Sequence, residues 1–223
     1  MSGDLTALAQ AMLGPDVAVV AGKVADFQGV LWPQEAVLMT RARAARLADF
    51  TAGRTAARRA LALLEEPSRP ILQGARGEPI WPDGIAGSLT HGGGLCLAAL
   101  GRADQFRSLG VDLESLALLD PALVQEICTP EERHWIATQP DHPHLPLRIF
   151  TAKEATYKAL YPLTGIVFDF GALTVLLSEN RDGFSAELTR DIGPFNAGTT
   201  FHGKQGIVQN TLLSTLKVAK TPL

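Results

Sequence analysis

Cysteine is nearly absent: only Cys96 and Cys128 occur in 223 residues. One pair cannot define a disulfide framework, and Cys96 falls in a segment that reads as a buried strand. Long apolar runs are missing too. No stretch of about eighteen apolar residues and no secretory leader is recognisable, so the sequence predicts a cytoplasmic protein without a membrane span. Positive charge is not in excess, since the formal net charge is −3. Nucleic acid is therefore excluded as the main partner, because such binders carry a broad basic footprint. There is no internal repeat, low-complexity tract or heptad pattern. The glycine-rich stretch at 87–94 lacks a following Gly-Lys-Ser/Thr, so it is not a phosphate-cradling P-loop. His142 and His144 lie among Pro140, Pro143 and Pro146, which makes a loop there and not a zinc site. What remains is 46% hydrophobic and 19% charged, an ordinary globular composition with length for one large domain or two small ones.

Against that background one segment stands out. From Ile149 to Lys158 a single carboxylate, Glu154, is set between Lys153 and Lys158. At helical spacing Ile149, Ala152, Ala155, Ala159 and Leu160 share an apolar face, and Phe150, Tyr157 and Tyr161 line the other side. Such a helix buries both flanks, and a carboxylate there needs a cation. Lys158 at i,i+4 is in the favourable order, so a plain helix salt bridge is one reading. A second acidic element precedes it. Leu109–Glu114 alternates with period two, placing Asp112 and Glu114 on one face and Val111 and Leu113 on the other. Together with Glu154 these supply hard oxygen ligands suited to Mg²⁺; a solvated strand face is the alternative.

Anion-binding candidates lie earlier in the chain. Arg41, Arg43, Arg46, Arg54, Arg58 and Arg59 crowd one helical stretch, with Arg54 and Arg58 at i,i+4 able to grip one phosphate. The segment 85–100 reads as a hairpin with a glycine turn and with Ser88, Thr90 and His91 at its mouth. A solvated helix face and a turn histidine are the alternatives for these groups.

The order of the pieces is what identifies them. Gly-Glu-Pro-Ile-Trp-Pro (77–82), Gly-Ser-Leu-Thr-His (87–91), Gly-Val-Asp-Leu-Glu (110–114) and Phe-Thr-Ala-Lys-Glu-Ala-Thr-Tyr-Lys (150–158) follow one another. This succession resembles the 4′-phosphopantetheinyl transferases, in particular the siderophore-synthetase-associated subgroup of the enterobactin-synthase component D type. The resemblance runs from about Arg46 to Tyr161. It implies an α+β fold of two similar halves, 1–101 and 102–223, with the active site at their interface. It implies transfer of 4′-phosphopantetheine from coenzyme A to a serine of an apo acyl or peptidyl carrier protein, releasing 3′,5′-ADP, by a Mg²⁺-dependent monomer. Asp112, Glu114 and Glu154 resemble the metal ligands. Glu154, or a metal-bound water beside it, resembles the general base, and Lys158 the residue that stabilises the pyrophosphate. Lys153 resembles a coenzyme A contact, its stem buried and its amine outward. Ser88 and His91 resemble residues that hold the nucleotide and its phosphates, and Arg46, Arg54 and Arg76, assisted by Arg58, resemble those near the 3′-phosphate. Two positions depart from the pattern: Gln73 stands where related sequences often have lysine, which Arg76 compensates, and Phe150 stands where many have tryptophan. Two other readings use the same residues, a metal-dependent nucleotide phosphohydrolase and a non-catalytic coenzyme A-binding module.

Periodicity and caps predict strands near 17–21 and 24–31 and a helical region from Gln34 to Leu64 interrupted around Thr51–Gly53. A strand is expected at 108–114. Helix starts fall at Asp120–Pro121 and at the capping box Thr129–Glu132. The Glu154 helix should end before Pro162. Strands then follow at 166–178, 183–190, 199–203 and 206–216, with turns at 180–183 and 203–206.

Overall fold

A computed structural model describes residues 2–220, and in it the chain divides into two compact units. One runs to Leu109 and takes in the chain again from Ala219; the other is Gly110–Val218. Among the described residues no helix is long and apolar enough to cross a membrane.

The first unit begins with α1 (Ser2–Leu13) and β1 (Val17–Lys23). Expected strand 24–31 does not form. Val24 N–H still reaches Gly94 O at 2.9 Å, then the chain closes a 3₁₀ turn at Val24–Asp26 and leaves the sheet. After α2 (Pro33–Ala36), the long helix α3 (Ala44–Leu63) runs unbroken through Thr51–Gly53. The break lies earlier, at Arg43, which is extended. Gly53 lies inside the helix facing the Leu89 side chain, and Ala52, Ala56, Ala57 and Ala60 are fully buried beside it. Small residues let α3 press closely on the sheet. A short hairpin of β2 (Leu72–Gln73) and β3 (Pro79–Ile80) follows, then β4 (Ile85–Gly92) and β5 (Leu95–Arg102). The sheet order is β1-β5-β4, antiparallel throughout. Gly93 and Gly94 make the two-residue turn, with φ of 57° and 75°. Left-handed backbone at both central positions is what a tight, correctly twisted hairpin requires, and it explains the glycine run.

The second unit is entered within β6 (Phe106–Ser115), followed by α4 (Pro121–Ile127), α5 (Pro130–Ala137) and α6 (Leu145–Thr164). Asp120 caps α4 through Ala122 N–H at 2.7 Å, and Thr129 and Glu132 form the expected capping box of α5. Strands β7 (Leu173–Leu177), β8 (Gly183–Leu188), β9 (Thr200–Val208) and β10 (Thr211–Ala219) complete a sheet ordered β6-β10-β9-β8-β7. The apolar face expected of α6 is there: Ile149, Ala152, Ala155, Ala159 and Leu160 are all 0% exposed. Three expectations fail. The strand expected at 166–178 begins only at Leu173, after a 3₁₀ turn at Phe170–Ala172. The helix α6 passes through Pro162 and stops at Gly165, a left-handed cap, because proline in the last turn forfeits only one hydrogen bond. The Gly203–Gly206 segment is strand, not turn. A Cβ on Gly203 would lie 2.1 Å from the Phe184 ring, so the glycine marks a close approach. The turn falls instead between Val208 and Thr211, with Gln209 at φ 54°.

Candidate active site

Strand β6 brings Asp112 and Glu114 to one face, while Val111 and Leu113 point into the core at 0% exposure. A Cβ on Gly110 would sit 1.9 Å from the Ala155 carbonyl oxygen, so β6 lies directly against α6. That contact sets Asp112 opposite Lys158, whose Nζ donates to Asp112 Oδ1 at 2.5 Å. The Lys158 ammonium thus reaches across to the strand and does not serve only its own helix. Glu154, one turn earlier, completes the group. Burial pushes the Glu154 carboxyl above the ordinary carboxylate range; Lys158 draws it back and Asp112 pushes it further. Glu114 moves the same way, through burial first, then Asp112, with Lys158 opposing and Glu154 adding. Three carboxylates therefore feel one another and share a single lysine.

Among the described residues no three His, Cys, Asp or Glu side chains are drawn tightly around one point. Repulsion between carboxylates works against such closure unless a cation stands between them. The donor set itself is all hard oxygen with surplus negative charge, which fits Mg²⁺. Glu154 also lines a cavity of about 100 Å³ with Tyr157, Phe168 and Phe170.

The other expected contacts divide sharply. Arg46 and His91 come together, with an Arg46 terminal nitrogen 3.3 Å from His91 Nε2. Since guanidinium only donates, Nε2 would have to accept in this contact, while Nδ1 lies 4.0 Å from an Asp49 carboxylate oxygen. Both Arg46 and His91 are exposed. Ser88 and Thr90 do not join them: strand alternation turns both to the opposite face of β4, each 4% exposed. Arg76 is exposed at the tip of the β2–β3 hairpin, and Gln73 closes that turn by donating to Gly77 O at 3.0 Å.

Arg54 and Arg58 do not form a shared phosphate grip. Arg54 is 5% exposed, donates to Ile71 O at 2.9 Å and to Leu72 O at 3.3 Å, and lies over the Phe50 ring. Burial draws its pKa down to about 10. Arg58 is bound by Glu35, with 2.8 Å from one terminal nitrogen to each carboxylate oxygen. Glu35 is 0% exposed and had no signal in the sequence, because Trp32 is not a residue that caps helices.

Lys153 needs the clearest correction. Its amine points inward, not outward: the residue is 1% exposed, and Nζ donates to Ile127 O at 2.9 Å, Glu132 at 2.8 Å and Phe170 O at 3.0 Å. An ammonium has three protons, and these acceptors take them all. Glu132 was legible only as a helix cap; that its carboxylate also neutralises a buried lysine required the tertiary structure. Neither cysteine is a nucleophile, since burial pushes Cys96 up to about 12 and Cys128 to about 11.

The chain is similar to known proteins of one family. Residues 34–101 match the 4′-phosphopantetheinyl transferase N-terminal domain, and residues 108–202 match the 4′-phosphopantetheinyl transferase superfamily model. The 4′-phosphopantetheinyl transferase Svp of Streptomyces mobaraensis is 39% identical over 81% of this chain and 74% of its own length. PptT of Mycobacterium tuberculosis is 37% identical, covering 82% of this chain and 84% of that protein. Enterobactin synthase component D of Salmonella typhi is 32% identical over 58% of this chain and 55% of its own. A fold of α3 and α6 each laid on an antiparallel sheet, the ordered motifs and these relatives converge, and the chain belongs to the 4′-phosphopantetheinyl transferase superfamily.

Proposed function

We propose that this enzyme moves the 4′-phosphopantetheine group of coenzyme A onto a carrier-protein serine with Mg²⁺ held by Asp112, Glu114 and Glu154. The observation that carries the metal assignment is the gathering of these carboxylates around Lys158. Mg²⁺ held by these carboxylates would supply neutralising charge to the pyrophosphate. Glu154, which lines a cavity and whose proton affinity is raised by burial, takes the proton of the attacking serine. The serine oxygen bonds to the phosphorus nearer pantetheine, and the bond to the bridging oxygen breaks, leaving 3′,5′-ADP. Lys158 stabilises the negative charge growing on that oxygen. The relative named as an enterobactin synthase component supports siderophore-synthetase carriers among the substrates.

The test is intact-mass spectrometry of an apo carrier protein incubated with the enzyme, coenzyme A and Mg²⁺. Gain of one phosphopantetheine, suppressed by EDTA, is expected; transfer undiminished by EDTA would remove the metal assignment.

The 3′-phosphate is assigned to Arg46 and His91, which meet where both are exposed. Arg46→Ala is expected to raise KM for coenzyme A roughly tenfold, the loss of one charge-assisted contact. For dephospho-coenzyme A, which lacks that phosphate, KM should hardly change. Equal effects on both substrates would take Arg46 out of the site.

A further inference from the structure

The two units contain the same buried device, although their sequences show no repeat. In the first, Val30-Leu31-Trp32-Pro33-Gln34-Glu35 opens α2; in the second, Ile127-Cys128-Thr129-Pro130-Glu131-Glu132 opens α5. Proline is the first helical residue in each, and the glutamate two positions later folds back onto the residue before the proline. Glu35 accepts from Trp32 N–H at 2.9 Å, and Glu132 accepts from Thr129 N–H at 2.7 Å. The second carboxylate oxygen takes an N–H from a later segment, Ile71 at 2.9 Å or Val175 at 2.7 Å. A cation from the long helix then bonds both the carboxylate and the carbonyl two residues ahead of the cap. In the first unit it is Arg58, on Glu35 and on Val30 O at 3.2 Å; in the second it is Lys153, on Glu132 and on Ile127 O. Chemically different residues, arginine and lysine, fill one role in both places. That repetition marks Lys153 as part of a clamp on its helix and not as a ligand-binding group.

In the second unit the clamped residue is immediately followed by Glu154. Lys153 ties α6 to the start of α5, to the 3₁₀ turn at Phe170 and, through Glu132, to β7. On the other side of Glu154, the Ala155 carbonyl lies against Gly110 of the strand that carries Asp112 and Glu114. Glu154 therefore sits between two immovable neighbours that fix the rotation of α6. We infer that Glu132 and Lys153 are positioning residues that aim Glu154 at Asp112 and Glu114. The inference rests on the assignment of those carboxylates to Mg²⁺ above.

Mn²⁺ serves as the probe, with free ion followed by electron paramagnetic resonance, beside steady-state kinetics on the full chain. In Glu132→Gln and in Lys153→Met, Mn²⁺ affinity and kcat are each expected to fall about tenfold or more, the usual effect of removing an orienting group behind a metal ligand. At saturating metal, KM for coenzyme A should stay within about twofold, because the 3′-phosphate contacts lie elsewhere. The double variant removes both charges, so neither is left buried alone, and its melting temperature should recover from that of Lys153→Met. Its Mn²⁺ affinity and kcat should remain low. Recovery of kcat with melting temperature would reduce the pair to stability alone. A rise in KM for coenzyme A in Lys153→Met with unchanged Mn²⁺ affinity would make Lys153 a substrate contact after all. Weakened Mn²⁺ binding in the variants, even if the wild type modified no carrier, would uphold the clamp while the transfer reading failed.

Discussion

Asp112→Ala and Glu154→Ala are each expected to lower phosphopantetheine transfer by about a thousandfold or more, with the folded state preserved. The size follows from what is removed. Electrostatic groups aimed at developing charge are worth about 10²–10³ in rate each, and Glu154 also supplies the base, worth a further factor of about 10². Survival of the fold follows from burial. Asp112 is 4% exposed, yet its partner Lys158 has a side chain 28% exposed and can turn its ammonium to water when the carboxylate goes. Glu154 is penalised by burial, attracted by Lys158 and repelled by Asp112, so its removal gives up one attraction while relieving a burial cost and one repulsion. Glu154→Gln, which keeps shape and loses charge, should be as inactive as the alanine variant. Rates by intact mass and melting temperatures measured together decide the matter: full activity in either variant would sink the metal-site assignment.

The residues proposed to do chemistry are more legible in the sequence than those that hold them. Asp112 and Glu114 declare themselves by strand alternation, and Glu154 and Lys158 by helical spacing, because those periods are local. Arg54 and Arg58 show why the same logic overreaches. Spacing of i,i+4 puts them on one helix face, but which face is buried depends on Glu35, Ile71 and Phe50, segments distant in sequence. Lys153 was misjudged for a related reason. A lysine at the edge of an apolar face ordinarily sends its amine to water; here Glu132, 21 residues earlier, waits inside with a carboxylate. Strand β9 carries through Gly203 because that glycine serves a close approach, and α3 carries through Gly53 because a single glycine costs a helix interior only about 1 kcal/mol. Local signals found what each residue is able to do; long-range packing decided which were left exposed to do it.

Glycine gives the second large effect, and it comes with opposite signs at two positions. A methyl group on Gly110 would meet Ala155 O at 1.9 Å, its carbonyl carbon at 2.9 Å and Ala159 Cβ at 2.9 Å. Helix backbone cannot turn aside as a flexible side chain can, so β6 and α6 must separate by more than an ångström. Overpacking of this kind costs about 1–3 kcal/mol and more when backbone is the obstacle. Gly110→Ala should therefore lower the melting temperature by roughly 6–12 °C, taking about 3 kcal/mol at 2–4 °C for each in a domain of this size. Because the same shift withdraws Asp112 and Glu114 from Glu154, kcat should fall at least tenfold even at temperatures where the variant is fully folded. Gly53 provides the contrast. It lies in the middle of α3 at ordinary helical φ, and its added Cβ meets only Leu89 Cδ1, at 3.8 Å, which is normal contact. Gly53→Ala should stabilise by about 0.5–1 kcal/mol, since alanine loses less entropy in a helix. Thermal melts of the two variants side by side test the packing directly. Destabilisation at both positions would mean that glycine is needed at Gly53 for the approach of α3 to β4. Tolerance at Gly110 would mean that strand β6 does not lie against α6, and the placing of Asp112 opposite Lys158 would go with it.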